Sequence, residues 1–260
     1  MEIIKLKNLF FKYNLESKSD FKLEIDKFNL ITGNFISILG PNGSGKSTLI
    51  KILSGIIEPV KGEILFRDKP YSKMTRKDLS KELAYVPQNF STNFSFSLYE
   101  IVMMGRSPYL NFFGVEAKQD KELVLKTLEQ MEILHLRDKG INEVSGGEAQ
   151  RAFIARAMVQ QPKILLLDEP NTHLDIKHQI SIFKILHELN IINNLIIVII
   201  THDINLAMRF SNRVLLMNKG SIIYDDKPDK ILTEKNIMEI FDTKAKIITD
   251  STDSRHIVFT

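Results

Sequence analysis

The sequence predicts an α/β fold with a mostly parallel sheet, antiparallel strands at its N-terminal end and an inserted helical subdomain. Three observations carry that prediction. Two apolar runs, 164–167 and 195–200, lack polar alternation, as central strands buried on both faces do. A third run, 35–39, enters a glycine-rich turn and then an apolar-periodic segment, the order strand, turn, helix. Over 90–160 the pattern changes to mostly helical.

Taken in order, 3–13 and 21–31 read as strands, the second alternating through Phe21, Leu23 and Ile25, with the polar stretch 16–20 between them. The run 35–39 stops at Gly40, and TLIKILSGI (48–56) reads as a helix. KELVLKTLEQMEIL (121–134) is amphipathic, and a helix over roughly 175–190 separates the two apolar runs. RVLLMNKGSIIYD (213–225) reads as a hairpin turning at Asn218, Lys219 and Gly220, and 233–241 as a helix capped by Thr233. The expected organisation is one unit over 1–225, with a core (1–89 and 161–225) and a helical subdomain (90–160). A C-terminal extension (226–260) is expected to pack on the core; the stretch after Phe241 is too short for a further folded domain.

Composition sets bounds. A chain of 260 residues, 43% hydrophobic and 26% charged, can bury a sizeable interior. LIIVII (195–200) is far shorter than the about 20 residues a membrane helix needs. Without cysteine there are no disulfides and no thiolate metal sites. No apolar segment follows a basic N-terminus, so no secretory signal is expected and the cytoplasm is favoured. The net charge of +3 is spread along the chain, which fits a solvated surface and argues for no nucleic acid.

The chemistry lies where the apolar runs end. Gly40, Pro41, Asn42, Gly43, Ser44, Gly45, Lys46, Ser47 and Thr48 match G-x-x-x-x-G-K-[ST]. Glycines let successive backbone N–H groups converge on phosphate oxygens, and the helix start adds positive partial charge. Lys46 would reach the β- and γ-phosphates and Ser47 would give a hydroxyl to Mg²⁺. ILLLDE (164–169) puts two carboxylates directly after a buried strand, where charge needs a partner or a metal. Adjacent residues point to opposite sides, so Asp168 is assigned to Mg²⁺ through water and Glu169 to the attacking water as general base. The run 195–200 ends in Thr201 and His202. Ligands of open α/β sheets bind beyond the carboxyl ends of strands, so all three segments should meet at one edge.

Ser145, Gly146, Gly147 and Glu148 admit two readings. S-x-x-E is a capping box opening the helix AQRAFIARAMV. It leaves unexplained two glycines in a first turn, each about 1 kcal/mol poorer than alanine. Paired glycines there suit close approach of an anion to bare backbone. Both readings can hold together.

The phosphate loop, Gln88 in YVPQ, VSGGE, ILLLDEP, NTHLD and Thr201-His202 occur in an order and at spacings that resemble ATP-binding-cassette (ABC) ATPase subunits, over about residues 1–225. The resemblance implies a P-loop NTPase core that hydrolyses ATP with Mg²⁺. It implies that Tyr13 stacks on adenine and that Gln88 senses Mg²⁺ and contacts the membrane partner. Ser145, Gly146, Gly147 and Glu148 resemble the signature that closes over the γ-phosphate on the other subunit. Asp175 falls in the loop crossing the dimer interface, and His202 resembles the switch histidine on the γ-phosphate. Val144 stands where leucine is commoner, and Asn171-Thr172-His173 departs from the usual serine- and alanine-containing version.

The implied assembly is a homodimer beneath transmembrane permease subunits at the cytoplasmic face of the membrane, served indirectly by a substrate-binding protein. One phosphate loop in the chain disfavours a translation-type cassette ATPase, and the lack of sustained heptads between Gln88 and Ser145 disfavours a repair-type one. Glu169 and His202 together disfavour a non-enzymatic regulator. MGRSPY (104–109), NTHLD and the tail from Pro228 resemble importer subunits for ferric siderophores, haem or cobalamin. A plain glycine-proline loop is the other reading of MGRSPY.

Overall fold

The computed structural model describes residues 1–13, 21–88, 95–109, 117–172, 174–251 and 255–260. The polar stretch 16–20 and His173 lie outside the described residues.

The chain opens with β1 (Glu2–Phe11) and β2 (Leu23–Ile31), paired antiparallel, then β3 (Phe35–Leu39) and α1 (Lys46–Leu53). Next come β4 (Lys61–Phe66), β5 (Lys69–Pro70), α2 (Arg76–Glu82) and β6 (Leu83–Val86). Among the described residues, α3 (Leu98–Met104), α4 (Lys118–Gln130) and α5 (Gly146–Met158) follow. The chain then alternates through β7 (Ile164–Asp168), α6 (Ile176–Asn193), β8 (Ile196–Ile200), α7 (Ile204–Phe210), β9 (Arg213–Asn218) and β10 (Ser221–Asp226). It closes with α8 (Pro228–Ile231), α9 (Glu234–Phe241), β11 (Ala245–Thr249) and β12 (Arg255–Phe259).

Among the described residues a six-stranded sheet has the order β10-β9-β3-β8-β7-β6, parallel except for β10. An antiparallel sheet of order β2-β1-β4-β5 lies against one of its faces. The unbroken apolar runs follow from that sandwich. Every residue of β3, β7 and β8 is buried. Leu165, Leu167, Ile197 and Ile199 join one apolar cluster with α3 to α6. Ile164, Leu166, Ile196 and Val198 join another with α1 and the antiparallel sheet. Each such side chain contributes roughly 1.5–3 kcal/mol on burial, so both faces demand apolar residues.

The register sets the site's position. Ile38 and Asp168 both pair with Ile200, so β3, β7 and β8 end at one level and their loops emerge together. The hairpin of β9 and β10 turns at Gly220, whose N–H donates to Ser44 O at 3.0 Å and whose carbonyl accepts from Glu24 N at 2.8 Å. That turn is thereby tied to the loop after β3.

The elements from β4 to β6 escape the hydrophobic pattern. α2 buries none of its residues and rests on the reciprocal cap between Thr75 and Asp78. The C-terminal segment adds a third apolar cluster, in which Ile231, Ile237, Ile240 and Ile257 pack with Leu39, Ala207 and Leu216. β11 and β12 form a hairpin that the sequence pattern did not predict; Asn205 of α7 holds it by donating to Ile257 O (3.1 Å) and accepting from Ile257 N (2.8 Å). Among the described residues no helix is long and apolar enough to cross a membrane.

Candidate active site

The loop after β3 is shaped by residues that can take left-handed backbone. Gly43 (φ 77°) and Gly45 (φ 101°) lie in that region, and a Cβ at Gly45 would meet Leu23 Cδ1 at 2.9 Å. Gly45 is the N-cap of α1 and offers no side chain to its first turn, so the orphan N–H groups there stay open to a ligand. Lys46 is 5% exposed and its Nζ donates to Gly40 O (2.8 Å) and Pro41 O (3.0 Å). Burial pulls its pKa below the ordinary lysine value, while Glu169 and Asp168 oppose the fall.

Asp168 ends β7 inside the protein, 3% exposed. Its Oδ1 accepts from Ser47 Oγ at 2.9 Å and its Oδ2 from Tyr85 OH at 3.4 Å. Desolvation raises its pKa, with the Ser47 hydrogen bond the main opposing influence. This hydroxyl–carboxylate pair fits Mg²⁺, a hard cation held by one or two protein oxygens with phosphates and waters completing its shell. Among the described residues no cluster of three or more His, Asp or Glu forms a protein-only metal cage.

Glu169, one residue on, has φ 49°, in the left-handed region. Its Oε2 accepts from Gln88 Nε2 at 2.8 Å and from Thr172 Oγ1 at 3.2 Å. Its Oε1 lies 2.9 Å from His202 Nε2. A carboxylate without its proton only accepts, so His202 carries hydrogen on Nε2 in this arrangement. Three donors from three loops thus fix one carboxylate.

Tyr13, Phe21, Lys46, Ser47, Gln88, Glu169 and His202 line one cavity of about 570 Å³. Tyr13 is 61% exposed; its ring meets Phe11 edge-on at 4.9 Å and its OH lies 3.0 Å from Thr48 Oγ1. The structure therefore gathers Tyr13, the phosphate loop, Gln88, Asp168, Glu169 and His202.

Ser145, Gly146, Gly147, Glu148 and Asp175 do not line this cavity. Ser145 caps α5 in the reciprocal box: its Oγ accepts from Glu148 N, and Glu148 Oε2 accepts from Ser145 N at 2.8 Å. Asp175 caps α6 by accepting from His178 N at 2.9 Å.

Tyr85, Thr172 and Thr201 stand in the motifs named above, but sequence reasoning gave them no role at the site. Thr201 is buried, and its Oγ1 accepts from Asn171 Nδ2 (3.3 Å) and Asp203 N (3.1 Å), tying the segment after β7 to the loop of His202. Tyr85 reaches Asp168 only because β6 and β7 pair in parallel with Tyr85 opposite Leu166. Local spacing holds no signal of that.

A glycine-rich loop between a buried parallel strand and a helix, with lysine, hydroxyl and carboxylate at one sheet edge, defines a P-loop nucleotide-binding α/β protein. Comparison with known proteins narrows the class. The chain belongs to the ABC transporter family, whose model matches residues 23–172. The ferric enterobactin transport ATP-binding protein FepC of Escherichia coli (strain K12) is 35% identical over 218 residues, 84% of this chain and 80% of that protein. Among solved structures, a transporter described as of the metal-chelate type, in an inward-facing conformation, superposes with TM-score 0.85 and 30% identity. That match covers 100% of this chain and 97% of the other. The dimeric structure of MJ0796, a bacterial ABC transporter cassette, matches with TM-score 0.74 and 29% identity over 87% of this chain and 99% of that one.

Proposed function

We propose that this chain is the ATP-hydrolysing subunit of an ABC importer that takes up an iron chelate (ferric siderophore or haem) or cobalamin. It acts as a homodimer on transmembrane permease subunits at the cytoplasmic face of the membrane, and a substrate-binding protein delivers the cargo. The observation that carries the catalytic part is Glu169, fixed by Gln88, Thr172 and His202 at the wall of the cavity that holds Lys46. The cargo class rests on likeness to FepC and to the metal-chelate transporter, together with the MGRSPY and NTHLD segments.

In this reading the phosphate loop's N–H groups and Lys46 hold the triphosphate, and Lys46 leaves Gly40 O and Pro41 O for phosphate oxygens. Ser47 and Asp168 would hold Mg²⁺, which neutralises charge on the β- and γ-phosphates when bound. Glu169 accepts a proton from water as the water oxygen bonds to the γ-phosphorus. The bond from that phosphorus to the bridging oxygen breaks and ADP leaves. His202 orients the γ-phosphate, and Gln88, which holds Glu169 through Nε2 at 2.8 Å, would also offer its side-chain oxygen to Mg²⁺. Ser145, Gly146, Gly147 and Glu148 complete the site of a second copy, and Asp175 crosses between the two. ATP closes the dimer because it binds the closed state preferentially, and its loss releases that state.

The test is Glu169→Gln, read as phosphate release and nucleotide retention. It should keep ATP binding, lower turnover on the order of 10²- to 10⁴-fold as loss of a general base does, and leave an ATP-loaded dimer. Full hydrolysis by that variant would remove Glu169 from the base role. Co-purification with membranes separates the transport ATPase from a soluble ABC ATPase of other function.

A further inference from the structure

The two glycines that open α5 are held in different ways. Gly146 is exposed, and a Cβ there would meet nothing nearer than Leu174 Cδ2 at 3.7 Å, an ordinary contact. Gly147 is buried against the imidazole of His178, and a Cβ there would lie 2.7 Å from His178 Cγ and 3.1 Å from Nε2. Packing therefore explains the missing side chain at Gly147, whatever approaches its N–H, and does not explain the one at Gly146. Gly147 is glycine because a ring from another helix occupies the place of its side chain.

That ring is fixed on its other side. His178 stands in the first turn of α6, and its Nδ1 lies 2.8 Å from Asp175 Oδ1, the oxygen that also accepts the His178 backbone N–H. Because the carboxylate only accepts, Nδ1 carries the hydrogen and the Cδ2–Nε2 side is left to face Gly147. One imidazole thus spans from the carboxylate at the start of α6 to the bare backbone at the start of α5.

We propose that His178 is a positioning residue: its ring sets the spacing between Asp175 and the first turn of α5, so that both meet a second copy of this chain as one rigid edge. The proposal rests on the hydrolytic dimer reading and deepens it. A simple pair between residues three apart on a helix would steady α6 locally and leave α5 indifferent. Contact with Gly147 makes the two helix starts move together, and a misplacement of about 1 Å at a composite site can cost 10²-fold in rate.

A double-mutant cycle separates these readings. Gly147→Ala, His178→Ala and the double variant are compared for kcat, KM, affinity of the single chain for a fluorescent ATP analogue, and Tm. Gly147→Ala should lower kcat about tenfold or more, since the methyl displaces the ring; His178→Ala should lower kcat by about tenfold with nucleotide affinity held within about twofold. In the His178→Ala background the methyl at 147 should cost almost nothing further, because the space is free. If Gly147→Ala costs as much there as in the wild type, or if His178→Ala keeps full kcat, the proposal is overturned. Melting runs the same cycle without hydrolysis. A drop in Tm from Gly147→Ala that vanishes without His178 supports the packing. A wild-type chain with no ATPase activity would sink the hydrolytic reading and leave that packing result standing.

Discussion

Asp168 serves two opposed demands. In the proposed mechanism its carboxylate must be ionised to face Mg²⁺, yet it sits at the buried end of a strand where desolvation raises its pKa. As pH rises, an unfolded chain loses this proton before the folded one does. The folded state then binds more protons, so stability falls through the window between the two pKa values. Above the folded-state pKa the whole cost is present. Asp168→Asn removes it while keeping an acceptor for Ser47, and is expected to raise Tm by a few degrees at pH 7 without nucleotide. The gain should shrink as pH is lowered toward about 4, while Mg²⁺-dependent hydrolysis is lost at every pH. Melting curves across that range check it; an equal gain at all pH values would point to packing instead. At this scale Lys46, Ser47, Asp168, Glu169 and His202 were legible, because each lies at or just beyond an apolar run whose ending is visible in the sequence. Tyr85 and Thr172 were not, since strand register and a left-handed residue bring them to the carboxylates.

Among the elements, the MGRSPY segment gains a structural account. Arg106 follows the end of α3 buried, and its Nε donates to Asp120 Oδ1 at 2.7 Å in the first turn of α4. Its Nη1 donates to Val159 O at 2.9 Å, at the end of α5. The Tyr109 ring lies 3.9 Å from the guanidinium and its OH donates to Gln160 O at 2.8 Å. Gly105 lies against the backbone carbonyl of Arg156, where a side chain would not fit. The segment therefore ties three helices together, more than a plain turn requires. Asp120→Ala strands a buried guanidinium and should cost about 3–5 kcal/mol. Tyr109→Phe loses one hydrogen bond, about 1 kcal/mol. Urea unfolding measures both, and a loss for Asp120→Ala no larger than for Tyr109→Phe would mean that water reaches the ion pair. The start of α9 was readable from its cap at Thr233, whereas α6 was placed only roughly, over 175–190 against the observed Ile176–Asn193. Readable too was the cap Ser97-x-x-Glu100 of α3, a signal of the same kind as Ser145-x-x-Glu148 that the reading did not use.

For the whole molecule, the parallel sheet was legible because burial on both faces leaves unbroken apolar runs. The C-terminal hairpin was not, because its strands show mixed exposure and one bidentate amide, Asn205, fastens them. Neither signal says how copies meet, yet the arrangement makes a sharp demand. Lys46 lines the cavity while Ser145 and Gly146 stand exposed outside its lining, so in the proposed dimer each site takes its phosphate loop from one copy and its signature from the other. A chain carrying Lys46→Ala cannot hold triphosphate in its own loop but still presents an intact signature. A chain carrying Ser145→Arg has the reverse defect, a sound loop and an α5 start blocked by bulk and charge. Each variant alone should be inactive. Mixed in equal amounts, half of the symmetric pairings combine one chain of each kind and hold one sound site of two, so about a quarter of wild-type turnover should return if the sites act independently. Strong dependence between sites would lower the recovered rate without abolishing it. Phosphate release from the mixture, with each variant alone as control, measures this directly. A mixture as inactive as its components, although each binds to the other, would mean that both parts must come from one chain.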